Sequence, residues 1–204
     1  MTNILLTGFT PFAGRDVNAS WIAASLLQQH LGCADVASIE IPVEWGKPEK
    51  ILDRAIRKFR PEIIISMGEG KRGCFQLETL ALNLRARKQD NKDGYPPAAK
   101  VALAGPPSIK SSAPVFEIRR QLVSRGVPVL LSLNAGRFLC EETLFVLEHN
   151  CKRHAEVKLV LFVHVPPYGT SLKFKYQDRI CDHELLLEFS RDLFEAVTLH
   201  LQSG

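Results

Sequence analysis

Hydrophobic positions along this chain keep two alternating rhythms, and the alternation predicts the architecture. Short, nearly continuous apolar runs read as buried strands: Asn3 to Thr7, Val36 to Val43, Glu62 to Met67, Val127 to Leu133 and Val157 to His164. Between them, apolar residues recur at helical spacing. From Lys47 to Arg60, the side chains of Ile51, Leu52, Ala55, Ile56 and Phe59 fall on one face, and Pro61 stops the pattern. Asn18 is positioned to cap a helix that runs through His30 and stops at Gly32. Pro114 fits the first turn of a helix ending at Gly126, and two more helices are expected over 139–153 and 182–201. Phe75 to Asn83 fits both periods: its alternation favours a strand, while Leu77, Leu80, Ala81 and Leu84 suit a helix. From Gly68 a glycine-rich loop is expected. Residues 88–112, rich in Pro, Gly, Lys and Asp, form the longest irregular stretch and a candidate active-site loop.

Repeated β-α-β order predicts one α/β domain over residues 1–204, with a mixed, largely parallel sheet and helices on both faces. Ligands of such sheets gather at the carboxyl ends of the strands. Phe9, Gly68, Asn134 and His164 all fall near predicted strand ends.

Composition narrows the function. A hydrophobic fraction of 46% and a charged fraction of 24% are ordinary for a globular protein. The net charge of +4 is spread along the chain, and the short cluster Arg85-Ala86-Arg87-Lys88 reads as a solvated face, so no nucleic-acid partner is expected. Five cysteines, without a CxxC pair, argue against a disulfide framework and for a reducing, cytoplasmic setting. Met1 to Leu6 lacks the charged leader and long apolar core of a signal peptide. No apolar run approaches the roughly 18 residues of a membrane span, so no membrane partner is expected.

The chemistry centres on Cys140. A strand-like run leads into the turn Asn134-Ala135-Gly136, and Cys140 follows at the start of a predicted helix. Burial in a core is the ordinary fate of a free cysteine. A helix N-terminus, however, favours the thiolate, and the backbone N–H groups of residues 140 and 141 are placed to hold an oxyanion. His164 ends an apolar strand; it reads either as a satisfied core histidine or as the base of a thiol hydrolase. Glu78 stands among apolar neighbours: taken alone it reads as an exposed-face glutamate, but if buried it needs a partner, and orienting that histidine would supply one. Phe9 and Phe12 lie in a turn after the first strand, as core plugs or as walls for a small flat ligand. Gly68-Glu69-Gly70-Lys71-Arg72-Gly73 is a literal GxGxxG, which raises dinucleotide binding as a remote alternative, but no clear helix follows it. His149, Cys151 and His154 do not share a helix face, since 149 and 154 stand about 140° apart, so no metal site is expected there.

Taken in order, these segments resemble the pyroglutamyl peptidase I (pyrrolidone carboxyl peptidase) family of cysteine exopeptidases. The resemblance is carried by Gly8-Phe9-Thr10-Pro11-Phe12, Ile41-Pro42-Val43-Glu44-Trp45-Gly46-Lys47, Glu78-Thr79-Leu80-Ala81-Leu82-Asn83, Ala135-Gly136-Arg137-Phe138-Leu139-Cys140 and Phe162-Val163-His164-Val165-Pro166. It implies an α/β/α sandwich akin to the purine nucleoside phosphorylases. It also implies a Cys140–His164–Glu78 triad that removes N-terminal pyroglutamate from peptides without metal or cofactor, and a homo-oligomer, dimer or tetramer. Phe9 and Phe12 would line the lactam pocket, Glu69 would lie beside it, and Arg87 is the nearest match to an arginine that helps bind the oxyanion. The chain departs from the family's pattern at Glu69, Leu133, Asn134 and Glu141. Glu69 and Glu141 would place two extra carboxylates near a neutral pocket, costly if buried, and Glu141 would offset the helix dipole at the thiolate. These departures keep open a diverged member that binds a lactam-like or peptide ligand, or that hydrolyses a different amide.

Overall fold

The computed structural model describes residues 3–32 and 35–202. Met1, Thr2 and Cys33, on which parts of the leader and cysteine readings rest, lie outside the described residues. The first half of the chain runs β1 (Ile4–Phe9), α1 (Ala19–Leu31), β2 (Val36–Ile41), α2 (Lys47–Phe59), β3 (Ile63–Glu69), β4 (Phe75–Glu78) and β5 (Leu80–Leu82). The second half runs β6 (Ser108–Lys110), α3 (Val115–Ser124), β7 (Val129–Ser132), α4 (Leu139–Asn150), β8 (Leu159–Val165), β9 (Ser171–Phe174), β10 (Gln177–Ile180) and α5 (His183–Gln202).

The helix limits follow their local chemistry. The Asn18 side chain accepts from Ser20 N–H at 3.0 Å and caps α1, and Gly32 ends it at φ 56°, in the left-handed region. The ambiguous segment from Phe75 resolves as two strands, β4 and β5, because each finds a partner strand. The irregular 88–112 stretch is loop apart from β6, which pairs with β5.

The main sheet has the strand order β2-β1-β3-β8-β4-β7. Strands β2, β1, β3 and β8 are parallel, whereas β4 runs antiparallel to β8 and carries β7 with it. Since side chains alternate across a sheet, each central strand feeds two cores. Ile4, Leu6, Ile63, Ile65, Leu159 and Leu161 pack with α1, α3 and α5 on one face. Leu5, Ile64, Val160 and Phe162 pack with residues of α2 and α4 on the other. The result is the expected α/β/α layering on a mixed sheet.

Two expectations change. Strand β3 continues past Met67: Gly68 and Glu69 stay in register with His164 and Val165, so the glycine-rich loop begins later. Asn134 is not at a carboxyl end shared with β1, β3 and β8, because β7 points the opposite way; the return loop 133–138 brings it back.

Candidate active site

Strand parity brings three distant residues to one face. In β8, Val160 and Phe162 face α4, so His164 inherits that side. In β4, Phe75 and Leu77 belong to the opposite core, so Gln76 and Glu78 turn the same way as His164. Helix α4 begins over this face, with Cys140 as its second residue. His164 Nδ1 lies 2.8 Å from Glu78 Oε1, and the Cys140 sulfur and the His164 ring crowd the same point beside Gly68. With Nδ1 committed to Glu78, Nε2 is the nitrogen left to face sulfur.

The neighbouring strand is bare where these groups meet. A Cβ at Gly68 would sit 2.7 Å from Cys140 Sγ and 3.1 Å from His164 Cδ2, and one at Gly70 would sit 2.6 Å from His164 Cβ. The glycines of the GxGxxG run therefore make room for Cys140 and His164. The chain then enters β4, so no helix N-terminus follows to receive a pyrophosphate, and the dinucleotide reading falls.

Electrostatics hold the histidine charged. Burial pulls the His164 imidazole down, but the charge and hydrogen bond of Cys140, then those of Glu78, outweigh it and raise it to about 10. Glu78 is fully buried, and its second oxygen, Oε2, has no hydrogen-bond partner among the described residues.

The departures at 69, 133, 134 and 141 find structural explanations. Glu69 ion-pairs with Arg15, and its Oε2 accepts from Ala19 N–H at the start of α1, so its charge is compensated. Glu141 is fully buried but lines no part of the pocket. It accepts from the backbone N–H of Leu82 at 2.7 Å and of Ala135 at 3.2 Å, which ties the loop before Cys140 to β5. Burial still raises it to about 7, with the Glu78 charge adding to the shift. Leu133 is 69% exposed, and Asn134 Oδ1 accepts from Gly136 N–H to shape the turn.

Cys140 and His164 open onto a cavity of about 300 Å³ lined by Phe9, Phe12, Val43, Phe138 and Leu139, with Asn18, Gln76 and Asn134 as polar wall and Glu69, Lys71 and Lys88 as charged wall. Phe9 and Phe12 thus both stand in the cavity wall. Arg87 does not: it is exposed, its guanidinium 5.3 Å from the Tyr95 ring, and outside the pocket lining. Arg85, two residues earlier, turns inward to a buried pair with Glu142 at 2.8 Å, whereas Arg87 faces outward. Sequence reasoning missed Lys88, Lys71 and Phe138. The only available signal was that they adjoin the singled-out segments. The 88–94 loop is docked by Trp45, whose N–H donates to Asp90 and whose indole donates to Lys88 O, both at 2.8 Å.

Comparison with known proteins gives the family. Residues 2–178 match the family model described as pyroglutamyl peptidase. The pyrrolidone-carboxylate peptidase of Gloeobacter violaceus is 35% identical over 166 residues, 80% of either chain. Pyrrolidone-carboxylate peptidase 1 of Ralstonia nicotianae is 32% identical over 169 residues, 81% of this chain and 79% of that one. Among solved structures, pyroglutamyl peptidase I of Bacillus amyloliquefaciens superposes with a TM-score of 0.80 at 28% identity, covering 97% of this chain and 93% of that one. A mutant pyrrolidone carboxyl peptidase of Pyrococcus furiosus gives 0.84 at 27% identity, covering 98% and 100%. This chain belongs to the pyroglutamyl peptidases, the cysteine peptidases that release N-terminal pyroglutamate.

Proposed function

We propose that this chain removes pyroglutamate from peptide N-termini with Cys140 as nucleophile, His164 as general acid and base, and Glu78 as the group that orients His164. The observation that carries the reading is the imidazole held between a buried carboxylate and the thiol at the first turn of α4. Pyroglutamate is a small flat lactam without a charged amine, and the apolar slot between Phe9, Phe12 and Phe138 suits it.

In this mechanism the Cys140 thiolate attacks the carbonyl carbon joining the lactam residue to the peptide. The carbonyl π electrons move to oxygen. The first N–H groups of α4 have no intrahelical acceptor, since the first helical bond runs from Glu142 N–H to Phe138 O, and they point at the developing oxyanion. The intermediate collapses as His164 gives its proton to the departing amine, leaving a thioester. His164 then takes a proton from water, whose hydroxide attacks the thioester, and pyroglutamate and the thiolate are released. Glu78 holds the imidazolium through Nδ1. The peptide partner needs a blocked, cyclised N-terminus.

The non-catalytic alternative loses its motive, because Glu69 is paired with Arg15 and Glu141 faces away from the pocket. A pyroglutamyl amide reporter tests the reading. Turnover is expected in the native chain, with a loss of roughly 10⁴-fold or more in Cys140→Ala. Turnover that persists in that variant removes the nucleophile, and no turnover in the native chain removes the activity.

A further inference from the structure

Glu141 follows the nucleophile in sequence and is fully buried, yet it lines no part of the cavity. Each of its oxygens holds a different stretch of backbone. Oε1 accepts from Leu82 N–H, in β5, and Oε2 accepts from Ala135 N–H, in the turn before α4. That turn is cavity wall: Asn134, Ala135 and Gly136 all face the site. It is also backbone that must be held in place. Gly136 and Arg137 stand at φ of 93° and 57°, and a left-handed arginine persists only where its surroundings fix it. From outside the turn, Ala86 N–H donates to Arg137 O at 2.7 Å, and Glu141 secures Ala135.

A carboxylate accepts at both oxygens at once. A carboxylic acid or an amide keeps one good acceptor and turns a donor toward the other N–H. At a fully buried position solvent does not take over the freed N–H, so the turn must shift to relieve it. We propose that Glu141 is a positioning residue: as the carboxylate it fixes the Asn134–Gly136 wall against β5, and so sets how well the slot closes on pyroglutamate. The inference rests on the proposed peptidase reading and adds a residue that acts through the wall, not on the reacting atoms. Burial raises Glu141 to about 7, and the charge of Glu78 on β4 adds to the shift. The remaining charges nearby are compensated or turned away. Glu142 on α4 is paired with Arg85, while Arg137 in the turn and Lys110 on β6 are exposed. On β8, His164 is raised to about 10 and keeps its charge through neutral pH. From α2 and β8, apolar side chains pack toward α4. The clamp is therefore made above about 7 and released as pH falls through that value.

The test measures kcat and KM for the pyroglutamyl amide reporter in the native chain and in Glu141→Gln, from about pH 6 to about pH 8. The lactam itself does not titrate in that range. At about pH 8 the variant is expected to show a KM roughly tenfold above the native value, with kcat within about threefold. Native KM should climb toward that of the variant as pH falls to about 6, while the variant's KM stays level. A purely structural role would lower Tm without giving KM a pH dependence that the amide abolishes. Equal KM values at about pH 8 overturn the proposal and leave the peptidase reading standing. So does a native KM that is flat with pH, or a pH dependence that the variant retains. A loss confined to kcat also overturns it, because that places the effect on the nucleophile and not on the wall. If Glu141→Gln does not fold, the native profile decides alone: a level KM overturns the proposal, and a rise toward acid pH supports it. No turnover by the native chain at any pH overturns both readings.

Discussion

Gly68 and Glu78 show how much a single atom matters at this site. The sulfur of Cys140 occupies the space where a side chain at 68 would begin. Gly68→Ala is therefore expected to fold, because the position is in a strand of ordinary φ, but to displace the sulfur by a fraction of an ångström and cost roughly 10²-fold in kcat/KM. Circular dichroism alongside kinetics checks both halves. Glu78→Gln keeps the shape but removes the anion beside His164, and should lower kcat/KM by about 10⁴-fold. The same change should move the alkaline limb of the pH profile to lower pH, since Glu78 is one of the groups raising the imidazole to about 10. An alkaline limb that stays put would deny Glu78 that role. The residues singled out in the sequence do meet in space: Glu78 beside His164, and Cys140, His164, Phe9 and Phe12 around one cavity. That Arg87 lies outside the cavity was not legible, because in an irregular loop no period tells inward from outward.

At the level of elements, α4 is the pivot. Its first turn buries two successive carboxylates, Glu141 into the backbone of the preceding loop and β5, Glu142 against Arg85 and Gly46 N–H. Arg85→Ala would leave the Glu142 charge buried without its cation, and a loss of about 3–5 kcal/mol in unfolding free energy is expected by urea titration. The elements that sequence reasoning found were those with local signatures, such as the Asn18 and Gly32 limits of α1. The β9–β10 hairpin was invisible for an equally local reason. Its two-residue turn, Lys175-Tyr176, takes φ of 48° and 66°, the conformation that usually demands Asn-Gly. The chain forces it with residues that carry no such signal, aided by Lys175 pairing with Glu188 and Asp192. The direction of β4 was likewise unreadable, because period gives a strand's faces and not its polarity.

At the scale of the whole molecule, the buried groups Glu141, Glu148 and His164 act in one direction. Glu141 and Glu148 are both raised by burial from 4.5 to about 7, so the folded state holds their protons more tightly than the unfolded chain does. The stability this confers is present below about 4.5 and lost as pH rises toward 7. His164, raised from 6.5 to about 10, adds stability below 6.5 that is lost as pH rises through 10. Tm is thus expected to fall between pH 5 and pH 9. A Glu141→Gln/Glu148→Gln variant should flatten only the lower part of that curve, and a slope below pH 7 that is unchanged in the variant would contradict the assignment. The antiparallel insertion of β4 beside β8 has a separate, kinetic consequence. Glu78 and His164 meet across 86 residues of sequence, and β4 has no hydrogen-bonded place in the parallel half of the sheet until β8 exists. Closing so long a loop is slow and yields nothing until it is complete. A ribosome-bound chain would carry its thiol for the whole synthesis of β8 without a partner base, so reactivity is switched on by the last strand of the main sheet to emerge.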